Sequence, residues 1–239
     1  MISIVWPFYE ERPNLKELFE RLERAARQLE GPWEIVFVDD GSRDGGAEVL
    51  EPLISSRPSM RLIRNEKNLG LTAALLAGFQ EAKGEILVTL DSDLQNPPEE
   101  IPRLVKLLRD SGEDVVAGVR ERRRDGPLKR ISSKTAKNIR RAVTGDRIED
   151  VGCSLRVFKR ETLSAFLPYK GMHRFFLTLA EAEGYEIKQV PVAHQPRRQG
   201  RSKYGFWNRL IGPLVNLFMV KWLLLRRIQF RTKNPVGGV

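Results

Sequence analysis

The sequence predicts an α/β fold: a doubly wound, mostly parallel sheet with an irregular second half. Three observations point there. Short apolar runs recur at residues 2–6, 35–38, 60–63, 86–90 and 115–117. Segments with helical spacing separate them, and strand–helix alternation of this kind builds parallel sheets. Three of the runs end in acids or turn residues, reading WPFYEE, VFVDDGSRDGG and TLDSDLQ. In a parallel sheet such ends line one edge, where ligands bind.

Residues 2–6 open the chain as a strand. Leu15, Leu18, Phe19, Leu22, Ala26 and Leu29 then keep helical spacing behind Pro13, a residue suited to a first helical turn. The second strand, residues 35–38, runs into DDGSRDGG, which reads as a turn and helix cap. A third strand at 60–63 precedes a helix over 71–82. Its Ala74, Gly78 and Ala82 stand four apart on one face, so it can lie close against a sheet. Residues 86–90 form the fourth strand, and Pro97-Pro98 turns the chain into a helix over 99–109. Residues 115–117 form the fifth. The basic stretch 120–141 reads as a loop leading into a helix, 156–159 and 186–192 as short strands, and 193–205, AHQPRRQGRSKYG, as loop.

Residues 210–225 are apolar but only 16 long, and Pro213, Asn216 and Lys221 interrupt them. A membrane-crossing helix needs about 20 apolar residues. The stretch reads as an amphipathic helix lying in a membrane interface between Arg209 and Arg226-Arg227, with a helix packed on the domain core as the alternative.

A chain of 239 residues with 41% hydrophobic residues suits one large domain or two small ones. The single cysteine, Cys153, excludes an internal disulfide and a cysteine-held zinc, fits a reducing cytoplasmic setting, and reads as a packing residue. The start, MISIVWPFYEE, lacks a basic n-region and a long apolar h-region, and reads as a mature chain opening in a strand. The net charge of +10 is uneven. No acid follows Glu186, and residues 187–239 hold 11 Lys and Arg, leaving 30 basic against 31 acidic residues elsewhere. A basic segment interleaved with apolar and aromatic residues faces something anionic: phosphates, a membrane surface or nucleic acid.

Asp91 and Asp93 lie on one side of an extended segment, because side-chain direction repeats every two residues. Acids brought together repel unless a cation or donors offset them. Hard oxygen ligands of this kind suit Mg²⁺ or Mn²⁺, completed by water and substrate phosphates. The plainer alternative is that Asp93 or Asn96 caps the helix beginning near Pro97. A nucleic-acid-binding role is set aside: it leaves DSDLQ unexplained, since those acids would repel phosphates without a metal. His173 and His194 sit in no catalytic pattern.

Together PFYEE, VDDGS, the N-x-G at 68–70, DSDLQNPPE and RQGRSKYG resemble the family-2 inverting glycosyltransferases of GT-A fold. The match lies in the branch similar to dolichol-phosphate mannosyltransferases and bacterial polyprenyl-phosphate glycosyltransferases, over roughly residues 1–210. The resemblance implies a Rossmann-like catalytic domain at 1–209, with a nucleotide-sugar-binding half at 1–120 and an acceptor half at 121–209. A basic, membrane-associating segment at 210–239 follows. It implies that Pro7, Tyr9 and Glu11 contact the nucleotide, that Val38 and Asp40 bind the base with Asp39 adjacent, and that Asp91, Ser92 and Asp93 meet diphosphate and metal. Gln95 joins Asp93 at the metal, Arg120 lies near sugar or phosphates, and Arg197 and Lys203 close over the donor diphosphate and acceptor phosphate. Two positions depart from the family: Glu10 stands where asparagine is frequent, and Asn96 where an acid or histidine is usual.

The implied reaction moves a hexose of mannose or glucose type from a GDP- or UDP-sugar to a polyprenyl phosphate, peripherally on the inner face of the cell membrane. Such an acceptor is already ionised at pH 7 and needs positive charge rather than a general base, while metal, Arg and Lys neutralise the leaving diphosphate. A sugar-hydroxyl acceptor needs a base, and Asp150 in IEDVGCSLR is the candidate for that alternative.

Overall fold

The computed structural model describes residues 1–121, 127–195 and 206–226, with side chains except at 127–133 and 206–211. Seven strands, β1 (Ile2–Phe8), β2 (Trp33–Asp39), β3 (Met60–Arg64), β4 (Ile86–Thr89), β5 (Val115–Arg120), β6 (Arg156–Lys159) and β7 (Ile187–Val192), form one sheet in the order β3-β2-β1-β4-β6-β5-β7. Neighbours pair parallel except β6, which runs antiparallel to both β4 and β5. The predicted mostly parallel sheet is therefore present, with one reversed strand near its middle.

Seven helices accompany the strands among the described residues: α1 (Arg12–Ala26), α2 (Gly46–Ile54), α3 (Leu71–Glu81), α4 (Ile101–Ser111), α5 (Pro127–Thr144), α6 (Phe176–Ala182) and α7 (Phe206–Arg226). They cover both faces, because successive strand residues point to opposite sides. Ile2, Ile4, Trp6 and Phe8 of β1 pack with Ile35 and Phe37 of β2 against α1, α2 and α4. Val5, Val36 and Val38 face the other way, against α3, α6 and α7. The small-residue face of α3 does what its spacing predicts. Ala74 is fully buried, and a Cβ added at Gly78 would lie 2.3 Å from Val5 Cγ1 and 3.0 Å from Val38 Cγ2. Only glycine permits so close an approach.

Several elements have no counterpart in the periodicity. α2 is nine residues long and contains Pro52, too short and interrupted to show a pattern. α6 is preceded by 3₁₀ turns at Arg160–Ala165 and Met172–Arg174, and its residues Phe176 to Ala180 are all buried. A helix surrounded by protein carries no polar face to mark it. α7 begins at Phe206, so the boundary expected after residue 209 falls inside a helix. Leu217 and Val220 of α7 pack into the core, while Leu214, Val215, Phe218, Trp222 and Leu225 stay exposed. Among the described residues, no helix is long and apolar enough to cross a membrane.

Because β6 runs backwards, its first residue lies at the edge where its neighbours end. Arg156 pairs with Thr89 of β4 and with Ala117 of β5. The segment leading into β6 thus reaches the carboxyl edge of the sheet.

Candidate active site

A cleft of about 840 Å³ opens along that edge. Asp91, Arg120, Asp150 and Arg156 are among its polar lining, and Leu71, Val151, Phe175, Leu214 and Leu217 among its apolar lining.

Asp91 follows β4. Its backbone N–H donates to Ser154 Oγ at 2.9 Å, Asn96 Nδ2 donates to the same oxygen at 2.9 Å, and Thr89 Oγ1 donates to the Ser154 carbonyl at 2.8 Å. Burial, and then repulsion from Asp93, push the Asp91 carboxyl up to about 6, while a hydrogen bond from Ser154 and the charges of Arg156 and Arg120 pull the other way. Asp93 Oδ1 accepts the Gln95 N–H at 3.1 Å. Between them Leu94 is buried with φ of 59°, the left-handed region a branched side chain enters only when its surroundings force it. The helical turns that follow receive no side-chain cap. Capping therefore does not account for Asp93 or Asn96.

Two carboxylates and an amide suit a hard divalent ion that takes its remaining ligands from water and phosphate. Among the described residues, no group of three or more His, Cys, Asp or Glu could enclose an ion alone.

Arg120, at the end of β5, meets Asp150 in a two-pronged pair: Nε donates to Oδ2 and Nη2 to Oδ1, both at 2.7 Å. Both partners are mostly buried. A Cβ at Gly152 would sit 2.5 Å from Arg120 Nη2, so the guanidinium rests against bare backbone. Burial alone would lower the Arg120 pKa, yet the Asp150 hydrogen bond and charge leave it raised.

On the other side of the edge, Pro7 and Val38 are register partners in β1 and β2. Asp40 is buried and accepts from Asn65 Nδ2 at 2.9 Å, Leu69 N at 3.0 Å and Gly70 N at 2.8 Å, tying the end of β2 to the N-x-G segment before α3. Asp39 is buried too and accepts the Ser42 N–H at 2.8 Å. Glu11 accepts from Asn14 Nδ2 at 2.7 Å in the first turn of α1. Tyr9 is half-buried and Ser92 buried. Glu10 has φ of 49°, which gives a physical sense to the asparagine frequent there in the resembling family, since asparagine tolerates that region better.

The sequence reading missed Ser154, Arg156 and His173. Arg156 is buried and donates to three carbonyls, Cys153 at 3.0 Å, His173 at 2.8 Å and Val151 at 2.9 Å. His173 Nδ1 lies 2.8 Å from Thr72 Oγ1. Burial, with Arg174 and Arg156 beside it, holds the imidazole down at about 3, so it stays neutral. The Cys153 thiol is pushed by burial up to about 11, in keeping with a packing role. The available signal was IEDVGCSLR, whose value appears only once β6 is known to be reversed. Gln195 N donates to the Gln95 carbonyl at 2.9 Å. Arg197 and Lys203, like the chain beyond residue 226, lie outside the described residues.

The model of the family described as Glycosyl transferase family 2 matches residues 3–167. An undecaprenyl-phosphate 4-deoxy-4-formamido-L-arabinose transferase of Pseudomonas fluorescens (strain Pf0-1) is 44% identical over 205 residues, covering 85% of this chain and 60% of the relative. One of Pectobacterium carotovorum subsp. carotovorum (strain PC1) is 39% identical over 240 residues, covering 100% of this chain and 71% of the relative. The chain thus spans about 60–71% of the length of these two relatives. Among solved structures, a mannosyltransferase from Pyrobaculum calidifontis in complex with GDP-Man and Mn²⁺ superposes with a TM-score of 0.66 at 23% identity, over 91% of this chain and 63% of that one. Glucosyl-3-phosphoglycerate synthase from Mycobacterium tuberculosis, in complex with UDP, gives 0.68 at 21%, over 93% and 80%. These likenesses establish a shared GT-A architecture. With its sheet, its DxD edge and the family match in register along two thirds of its length, the chain belongs to glycosyl transferase family 2.

Proposed function

We propose that the chain transfers a sugar from a nucleotide sugar to a polyprenyl phosphate of the undecaprenyl type at a membrane surface. The observation that carries this reading is the cleft itself. It runs from Asp91 and Arg120 to an apolar wall of Leu71, Val151, Phe175 and Leu217, a lining suited to a phosphate with a hydrocarbon tail. The names of the relatives agree.

The donor side comprises Pro7, Tyr9, Glu11, Val38, Asp39, Asp40, Asp91, Ser92, Asp93 and Arg120, with Arg197 and Lys203 closing from the basic segment. That Gln195 is tied to Gln95 supports an approach of this segment to the DxD turn. Mg²⁺ or Mn²⁺ held by Asp91, Asp93 and Gln95 would neutralise the leaving diphosphate. A phosphate acceptor arrives ionised and needs no proton removed. The hydroxyl-acceptor alternative requires Asp150 as base, and Asp150 is engaged by Arg120 through both oxygens. The sugar suggested by the relatives is a formamido pentose, in place of the mannose- or glucose-type hexose expected from sequence. The exposed apolar side of α7, beside the basic C-terminal residues, would rest on the anionic cytoplasmic leaflet.

The full chain is incubated with Mn²⁺, undecaprenyl phosphate and a panel of radiolabelled nucleotide sugars that includes the formamido-arabinose donor. Label is expected in the lipid extract and is expected to vanish with Asp93→Asn or a chelator. Transfer surviving both changes sinks the reading; label found only on sugar hydroxyls, and lost with Asp150→Asn, selects the alternative.

A further inference from the structure

The segment between Asp150 and β6 lends Asp150 and Val151 to the cleft, and a further side chain in it, Ser154, is bound to the DxD segment. A serine hydroxyl has two acceptor lone pairs and one proton. At Ser154 the lone pairs are taken by the Asp91 N–H and by Asn96 Nδ2, each at 2.9 Å. The hydroxyl is thereby fixed between the Asp91 backbone and the Asn96 amide. The Ser154 carbonyl accepts Thr89 Oγ1 at 2.8 Å. One residue thus holds the DxD segment before it, at it and after it.

We infer that Ser154 is a positioning residue for the DxD turn, fixing the backbone at Asp91 from which that carboxylate is presented to a divalent cation. This rests on the reading of Asp91 as a cation ligand. The fold makes the contact dependable. Reversed β6 starts beside the end of β4, with Arg156 opposite Thr89, so Ser154 is carried to Asp91 by the sheet. Arg156 secures the segment from below, donating to the Val151 and Cys153 carbonyls on either side of Gly152. A carboxylate whose backbone is tied down on both sides keeps its oxygens aimed one way, and loss of such outer contacts costs about 10–100-fold in metal affinity.

The test measures Mn²⁺ binding to the full chain by electron paramagnetic resonance, without donor or acceptor, so that it does not depend on activity. Ser154→Ala is expected to weaken Mn²⁺ by about 10-fold or more while circular dichroism stays native. Ser154→Thr, which keeps the hydroxyl, is expected to recover most of the affinity. Asn96→Ala removes the other donor to Ser154 without touching Asp91 and is expected to have the smaller effect; equal losses in Asn96→Ala and Ser154→Ala would reduce Ser154 to a structural contact and overturn the inference. Should Ser154→Ala fail to fold, Ser154→Cys, of similar size and poorer hydrogen bonding, is read the same way. Native Mn²⁺ affinity in Ser154→Ala, with binding abolished in Asp91→Asn, overturns the inference alone. Native affinity in Asp91→Asn overturns the cation reading and the inference with it.

Discussion

At the scale of single residues, the site is built by groups that hold other groups. Gly152 is the sharpest case. An added methyl would meet the far end of the Arg120 side chain at 2.5 Å. A flexible guanidinium can move away where backbone cannot. Gly152→Ala should therefore fold, with little change in melting temperature, but detach Arg120 from Asp150. We expect kcat/KM to fall by about 10–100-fold, the scale of losing one charged hydrogen-bonded contact, checked by steady-state transfer assays beside thermal melts. His173 gives a pH signature. Its folded pKa of about 3 lies below the ordinary value of 6.5. Above pH 6.5 both folded and unfolded forms are neutral there, and stability is unaffected. As pH falls below 6.5 the unfolded chain takes up a proton that the folded one refuses, so stability declines, by up to about 1.4 kcal/mol per pH unit for one proton, down to about pH 3. His173→Asn should flatten that part of the curve in urea titrations run between pH 7 and 4.

At the scale of elements, what was legible depended on whether a pattern is local. Asp91, Asp93 and the turn after them could be read because a strand that stops in acids is visible within a dozen residues. The partners of that turn could not. Ser154 contacts Asp91 across 63 positions of sequence and Thr89 across 65, and no periodicity encodes such a meeting. The close-packed face of α3 was legible from three small residues. The burial of α6 was not, since a seven-residue helix whose first five residues are all buried resembles a strand as closely as a helix. For α7 the pattern left two readings, membrane interface or core; Leu217 and Val220 meet the core reading, and the exposed apolar side is what the membrane proposal calls on. Phe218 and Trp222 are 67% and 58% exposed. Replacing both by serine should leave the melting temperature unchanged within a few degrees, since little buried area is lost, and should reduce co-sedimentation with anionic vesicles. Unchanged sedimentation would remove α7 from the membrane contact.

At the scale of the whole molecule, the strand–helix alternation predicted the sheet, but not that the two halves of the chain share it. The strands β1, β2 and β4 are separated from β5 and its Arg120 by β6, a strand of the second half of the chain, since β6 lies between β4 and β5. A fragment of residues 1–120 would keep β4 and β5 without β6 between them or β7 beside β5, leaving one side of β4 and both sides of β5 bare. Bare edges pair with other chains. Such a fragment is expected to aggregate on expression, whereas the full chain stays in solution; a soluble, nucleotide-binding 1–120 fragment would show the halves to be independent.

The reversed strand also sets a clock on biosynthesis. β4 leaves the ribosome with one side unpaired, and its partner is complete only when Lys159 has emerged. At ~5–20 residues per second, the half-made sheet stays open for several seconds. The nascent protein therefore passes through an interval in which the DxD turn is present but unanchored, and a chaperone that shields strand edges has its moment there.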